Sequence, residues 1–323
     1  MPSRIRWISH RIGGGWTTDF GATFNGTPTA DGTLSVPFLN DALNVVYELN
    51  GAVHKMPGTT KFNTTTLGAS VNIKGIYDYW RQGGAGAAAQ RVVVHAGTQI
   101  YAAQVSDGVF SSIATGLVDD AVPHYSTFDD LLIIGSSASA DVPRSWDQST
   151  FQNLAGSPPR FSFSVKHQNR HWASGNYSAP SRLYYSASLD PEDWTGAGSG
   201  SIDIDPNDGD AIVGIASFKN ELIVFKGPYK GSIHRIVGSA PTGSDSFGRT
   251  TLLEGITAAY QNSIFTLPND LGFVTPRGTV HSLVAVNRFG DYERSSLSFP
   301  INRTLRADLA NNLYKDWWAV EDH

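Results

Sequence analysis

The 323-residue sequence predicts an all-β protein: a β-propeller of about five to seven blades with an N-terminal closing segment. Three observations carry that expectation. Short apolar runs end in turn residues, the runs recur at a spacing of about 40–50 residues, and long helical periodicity is nearly absent.

The runs themselves are rich in β-branched and aromatic residues. Val92-Val93-Val94 leads to Gly97, Leu131-Leu132-Ile133-Ile134 to Gly135, Leu222-Ile223-Val224-Phe225 to Gly227, and Leu271-Gly272-Phe273-Val274 to Pro276. Such residues suit a pleated, half-buried surface, and the Gly or Pro that follows ends it. With His171 marking a further unit, the starts Val92, Leu131, His171, Leu222 and Leu271 lie 39, 40, 51 and 49 residues apart.

Each start is followed about ten residues later by a second run. These are Ile100-Tyr101-Ala102 with Gly108-Val109-Phe110 behind it, Arg144-Ser145-Trp146 with Thr150-Phe151, Arg182-Leu183-Tyr184-Tyr185-Ser186, Ser232-Ile233-His234-Arg235-Ile236, and Thr279-Val280-His281-Ser282-Leu283. Every unit reads as strand, turn, strand, turn, strand, which is the pattern of propeller blades. A β-sandwich or barrel with coincidental spacing is the competing architecture.

The two ends fall outside the repeat. Residues 1–70 read as an arm and a hairpin, Leu43–Leu49 and Ala52-Val53-His54 around Asn50-Gly51, a dipeptide that tolerates the positive φ angles of a tight turn. This segment is expected to close the ring by adding strands to the last blade, or to dock subunits. Residues 71–300 hold the blades. In 301–323, Leu305, Leu309 and Leu313 recur every four residues behind Thr304, predicting a short helix within Asn302–Tyr314, and Trp317-Trp318-Ala319-Val320 reads as the start of a further strand.

Composition removes several function classes. Cysteine is absent, which excludes disulfides, thiolate metal sites, iron–sulfur clusters and cysteine nucleophiles. Lys and Arg number 24 against 29 Asp and Glu, a net charge of −5, so the chain as a whole presents no positive field to nucleic acid. No apolar run approaches the roughly 18–20 residues of a membrane span, and the N-terminus lacks a signal-peptide pattern, so a soluble, unprocessed chain is expected.

Catalytic and ligand motifs are weak. Gly84-Ala85-Gly86-Ala87-Ala88-Ala89 fits a dinucleotide fingerprint by letter, but a strand, Gln90-Arg91-Val92-Val93-Val94, follows it where the fingerprint needs a helix; a hairpin loop is expected and no cofactor. Asp203-Ile204-Asp205-Pro206-Asn207-Asp208-Gly209-Asp210 resembles a calcium loop whose sixth and twelfth positions fail, leaving Asp203, Asp205, Asp208 and Asp210 as weak cation candidates. Together with Asp190, Glu192 and Asp193 they are expected to form a solvated acidic rim, on a channel if there is one. Ser145-Trp146-Asp147-Gln148-Ser149-Thr150-Phe151 approaches a sialidase box and misses it, reading instead as a hairpin turn with aromatic packing. With no nucleophile–base or paired-carboxylate signature, a non-enzyme is expected.

Basic residues have their own pattern. Arg4, Arg6 and Arg11 interleave with Trp7 and Trp16 as a candidate docking arm, and Arg277, Arg288, Arg294, Arg303 and Arg306 gather toward the C-terminus. Docking to another subunit is favoured over nucleic-acid contact for these arms.

Several phrases together resemble a known family. They are Asn44-Val45-Val46-Tyr47-Glu48-Leu49-Asn50-Gly51 with Lys55-Met56-Pro57-Gly58, then Arg182-Leu183-Tyr184-Tyr185-Ser186 with Asp190-Pro191-Glu192-Asp193-Trp194, then Asp208-Gly209-Asp210-Ala211-Ile212-Val213-Gly214 and Leu222-Ile223-Val224-Phe225-Lys226. In this order they are similar to the β-propeller tail proteins of tailed bacteriophages, the tail nozzle or tail accessory family. The block Arg182 to Lys226 is the strongest, and Met56 stands where the family pattern often has a basic residue.

The resemblance implies a virion structural protein of a phage tail, assembled in the host cytoplasm as a homo-oligomeric ring, a hexamer, that lines or gates the DNA ejection channel. Its implied partners are adaptor, portal or fibre proteins and DNA in transient, non-specific passage. The acidic run would then repel phosphates and let the duplex slide. Two other readings stay open: a carbohydrate-binding or receptor-binding propeller, betrayed by acidic and aromatic side chains converging in one pocket, and a host-range adhesin, betrayed by a trimeric state.

Overall fold

A computed structural model describes residues 45–47, 53–55, 60–64, 66–68, 71–81, 89–284 and 305–307. It is a five-bladed β-propeller. Blade I contains β3 (Ile73–Trp80), β4 (Gln90–Ala96), β5 (Gln99–Gln104) and β6 (Ser111–Ala114), and blade II contains β7 (Pro123–Phe128), β8 (Leu131–Ser136), β9 (Arg144–Trp146) and β10 (Phe151–Asn153). Blade III is built of β11 (Phe163–His167), β12 (Arg170–Ser174), β13 (Arg182–Tyr185) and β14 (Gly200–Asp203), and blade IV of β15 (Ala211–Phe218), β16 (Glu221–Gly227), β17 (Ser232–Val237) and β18 (Gly248–Glu254). Blade V has β19 (Ile264–Leu267), β20 (Asp270–Val274) and β21 (Val280–Ser282) among the described residues. Each sheet runs strand next to sequential strand, antiparallel throughout.

The five periodic starts in the sequence all lie in the second strand of a blade: Val92 in β4, Leu131 in β8, His171 in β12, Leu222 in β16 and Leu271 in β20. Second strands are sandwiched on both faces, so they read as continuous apolar runs. The first strands, by contrast, line a central cavity and interrupt their apolar residues with Ser, Thr and Lys, as at Ser126, Thr127, Ser164, Lys166 and Thr266. They gave no periodic run, and each blade begins one strand earlier than the sequence pattern marks.

First and second strands join through two-residue turns in blades II to V. Phe128 pairs Leu131, His167 pairs Arg170, Phe218 pairs Glu221 and Leu267 pairs Asp270. Positive φ angles fall on Asp129, Gln168, Asn169, Lys219 and Asn269, so four tight turns are made without a glycine. The predicted strand at Gly108-Val109-Phe110 is displaced: Gly108 is a turn at φ +61°, and β6 starts at Ser111.

The core lies between blades. Tyr79, Val93, Ile100, Leu132 and Trp146 fill the space between I and II; Phe128, Ile133, Phe161 and Trp194 that between II and III. Phe163, Trp172, Leu183, Ile215 and Val224 fill III to IV, and Ile223, Phe225, Ile233, Leu271 and Phe273 fill IV to V. Fully burying one such side chain contributes about 1.5–3 kcal/mol. The other face of blade I is different. There Ile73, Ile76 and Trp80 of β3 are 53%, 58% and 55% exposed, and the Trp80 indole is held by its Nε1–H donating to Asp78 Oδ2 at 2.9 Å.

The N-terminal hairpin pairs β1 (Val45–Tyr47) with β2 (Val53–Lys55) as a sheet of its own, so among the described residues it adds no strand to the last blade. Its register sets Tyr47 opposite Val53, where a two-residue turn at Asn50-Gly51 would have set it opposite His54. Residues 305–307 are helical, inside the predicted helix. The rest of that helix, Trp317 to Val320, the Gly84–Ala88 loop and the arm Arg4, Arg6, Trp7, Arg11 and Trp16 lie outside the described residues.

Candidate functional site

The strongest sequence block, Arg182 to Lys226, runs from β13 of blade III to β16 of blade IV, and its β14–β15 connection is hydrogen-bonded to blade IV. Lys226, fully buried on β16, donates its ammonium to the carbonyls of Ile204 (2.7 Å) and Asp205 (2.8 Å) and to Asp208 Oδ1 (2.8 Å). An ammonium has three protons, and all three are used. Burial raises the Asp208 carboxyl, but the Lys226 hydrogen bond and the Asp210 backbone amide outweigh it and hold the group below its ordinary range.

The neighbouring acids are also committed. Asp210 is buried, and its carboxylate accepts the backbone amides of Tyr229 (2.7 Å), Lys230 (3.0 Å) and Gly231 (2.9 Å), pinning the β16–β17 connection. Successive N–H groups converging in this way form a built-in anion nest, here filled by the chain's own side chain. Asp205 accepts from Arg249 Nη1 at 2.5 Å, with His234 Nε2 at 3.6 Å; burial lowers the His234 pKa, so that imidazole is neutral at pH 7. Asp203 takes two hydrogen bonds from Arg182, Nε at 2.6 Å and Nη2 at 2.9 Å, which hold its carboxyl low. All four weak cation candidates thus face cations or amides of the chain itself. Among the described residues no group of three or more His, Asp or Glu is arranged around a metal position.

Asp190, Glu192 and Asp193 lie elsewhere. They belong to the β13–β14 connection, at the opposite end of that strand pair from Asp203, because Arg182 pairs Asp203 and Tyr185 pairs Gly200. Asp190 Oδ1 accepts the Glu192 amide (2.9 Å), and Asp193 Oδ1 accepts those of Thr195 (3.3 Å) and Gly196 (2.7 Å). Seven acids that follow one another in sequence with no Lys or Arg between them therefore divide between the two ends of blade III instead of lining one rim.

Histidines are built into the blade interiors. His171 is fully buried with Nε2 at 3.0 Å from Ser126 Oγ, and burial depresses its pKa to about 3. His167 Nδ1 meets Ser217 Oγ at 2.8 Å, and burial takes it to about 4. In blades IV and V one device recurs on the third strand: Ser232 Oγ bonds His234 Nε2 at 2.9 Å, and Thr279 Oγ1 bonds His281 Nε2 at 2.8 Å. The matching phrases Gly231-Ser232-Ile233-His234 and Gly278-Thr279-Val280-His281 are the sequence signal for it. Ser145-Trp146-Asp147 is the β9–β10 hairpin: Trp146 packs on Tyr79 at 5.6 Å between ring centroids, and Asp147 Oδ1 accepts the amides of Ser149 and Thr150.

Cavities among the described residues bring further side chains together. The first strands of all five blades, with Tyr77, Ser126, Ser164, Ser217 and Thr266 among their contributions, surround a central cavity of about 370 Å³. A larger one of about 860 Å³ opens on the face that carries the connections between blades. Its walls are the β8–β9 connection, the ends of the β10–β11 and β12–β13 connections, and Tyr260 ahead of β19. Asp141, Arg160, Asn176 and Tyr177 stand there, none of which the sequence reading singled out.

No protein-family model matches the chain, and no curated protein does. Among solved structures it is similar to one in a nidogen/laminin complex, with a TM-score of 0.41 and 10% identity over 60% of this chain and 73% of that one. It is also similar to YCF48 bound to a D1 peptide, with a TM-score of 0.40 and 11% identity over 71% of this chain and 67% of that one. Among the described residues no helix is long and apolar enough to cross a membrane.

Proposed function

We propose that this chain is a structural subunit of a phage tail, a nozzle or hub ring component that acts without catalysis and assembles with copies of itself in the virion. The observation that supports this reading is the role of the family-like block. Within it, Lys226, Asp208 and Asp210 tie the β14–β15 connection to blade IV, and Arg182 braces the β13–β14 pair of blade III through Asp203. Residues spent on rigidity are what a load-carrying ring component requires.

The reading also gives the apolar face of β3 an occupant, a second copy of the chain. Ile73, Ile76 and Trp80 form an exposed apolar stripe, and Trp80 is already fixed by Asp78, so little side-chain entropy is lost when it is covered. The acidic-wall element of the reading rests on the net charge of −5 rather than on Asp203 to Asp210, whose charges are met internally.

The test is the particle mass of the full chain by light scattering, with negative-stain images of the same sample. A ring of about six subunits with a central hole is the expected result. A species that stays monomeric even with adaptor and portal proteins present overturns the ring, and a trimer transfers the reading to a tip adhesin.

A further inference from the structure

We infer that the 860 Å³ cavity on the inter-blade face is a binding site for a neutral oligosaccharide, independent of whether the chain forms a ring. Its size falls within the range of about 300–1,000 Å³ that ligand pockets occupy, and its walls come from three blades, so the fold fixes their spacing.

The lining matches the chemistry of a sugar. A saccharide offers an apolar C–H face and a ring of hydroxyls that both donate and accept. Tyr177 is 87% exposed at the cavity with no hydrogen-bond partner among the described residues, which leaves its ring free as a stacking platform. Asn176 Oδ1 accepts the Ser178 amide at 2.8 Å, so its Nδ2 group keeps two donors for a ligand. Arg160 spends one N–H on the Ser139 carbonyl and has four more.

Asp141 completes the set. Its carboxylate is fixed by Ser136 Oγ (2.7 Å) and the Val118 amide (3.2 Å), one bond to each oxygen, which leaves further acceptor positions on a residue that lines the cavity. Arg160 and Asp141 carry opposite charges, so the site has no net charge and selects against strongly anionic or cationic ligands. An extended peptide is a poor match, because it needs a row of edge-strand N–H and C=O groups and this cavity is walled by loop side chains.

The experiment is a printed array of neutral and acidic oligosaccharides probed with the full-length protein, followed by calorimetric titration of the best neutral glycan. The expected result is binding of one or more neutral glycans that weakens by roughly tenfold or more in Tyr177→Ala and in Asn176→Ala. Tyr229, 83% exposed on the β16–β17 connection and outside the cavity, supplies the control Tyr229→Ala, which keeps full affinity. Absence of any neutral-glycan binding overturns the site, as does binding that Tyr177→Ala leaves intact or that Tyr229→Ala weakens equally. Glycan binding by a protein that stays monomeric even with adaptor and portal proteins present would remove the ring and leave this site standing.

Discussion

Lys226 and Asp208 form an ion pair of 2.8 Å in which the lysine is wholly buried, while Lys166 and Asp129 form one of 2.6 Å in which both side chains are exposed, at 40% and 65%. Geometry alone makes them equivalent; burial separates them. Removing the buried Lys226 leaves two carbonyls without their donor, each at a cost of about 1–3 kcal/mol, and unpairs the partly exposed Asp208, whereas exposed pairs are worth about 0–1 kcal/mol. Lys226→Ala is therefore expected to lower the unfolding free energy by about 2–4 kcal/mol, chiefly by orphaning the Ile204 and Asp205 carbonyls, and Lys166→Ala by under about 1 kcal/mol. Urea denaturation of both variants checks this; equal effects would mean that Lys226 reaches water.

A second contrast concerns two glycines at positive φ. A Cβ on Gly156 would stand 1.6 Å from the carbonyl oxygen of Glu192, backbone against backbone, whereas one on Gly209 would meet nothing within 4 Å. Both residues pay the left-handed penalty of about 1–2 kcal/mol on substitution, but only Gly156→Ala must also push the β13–β14 connection off blade II. The expected order is a loss of about 1 kcal/mol for Gly209→Ala and several for Gly156→Ala, read from thermal midpoints. Comparable losses would show that the Glu192 loop yields freely.

How much of this was legible in the sequence divides along physical lines. The second strands were, because burial on both faces writes them as unbroken runs such as Leu131 to Ile134. The first strands were not, because Ser164 and Lys166 face the central cavity and break the apolar pattern. The tight turns at Asp129-Asp130 and Lys219-Asn220 lack the glycine that would have announced them. The acidic run drew notice through its density, yet density in sequence says nothing about partners: Asp210 is a buried acceptor for three amides, and Asp203 pairs across a strand with Arg182. Asp141, Arg160 and Tyr177 come from separate connections, and only the closure of blades II and III brings them together.

Acid should destabilise the protein before its carboxylates titrate. His167 and His171 have folded pKa values of about 4 and about 3, below an unfolded value near 6.5, and burial is the first cause for both. Groups depressed in this sense are protonated first in the unfolded chain, so their stabilising effect is complete above about pH 6.5 and is lost as pH falls toward 4. By pH 5 each contributes a loss of about 2 kcal/mol. Asp208, also depressed, adds its loss only below about pH 4. Urea midpoints at pH 7.5, 6 and 5 should fall steadily, and a His171→Gln variant should flatten the slope; an unchanged slope would assign the acid sensitivity elsewhere.

The exposed face of β3 offers the last test, one that follows from the ring proposal. Ile76 and Trp80 contribute no packing to the interface between blades I and II, which Tyr77, Tyr79 and Val93 make on the opposite side of the same strands. Carboxylates placed at 76 and 80 would sit in water in the isolated subunit and in an apolar contact in the ring, where an unpaired charge costs several kcal/mol. Ile76→Asp with Trp80→Asp is thus expected to leave the far-ultraviolet dichroism and the thermal midpoint nearly unchanged while shifting the particle mass from ring to single subunit. A ring that survives both substitutions places the subunit contact elsewhere. A collapse of the thermal midpoint in the single subunit would instead mean that this face is covered within one chain.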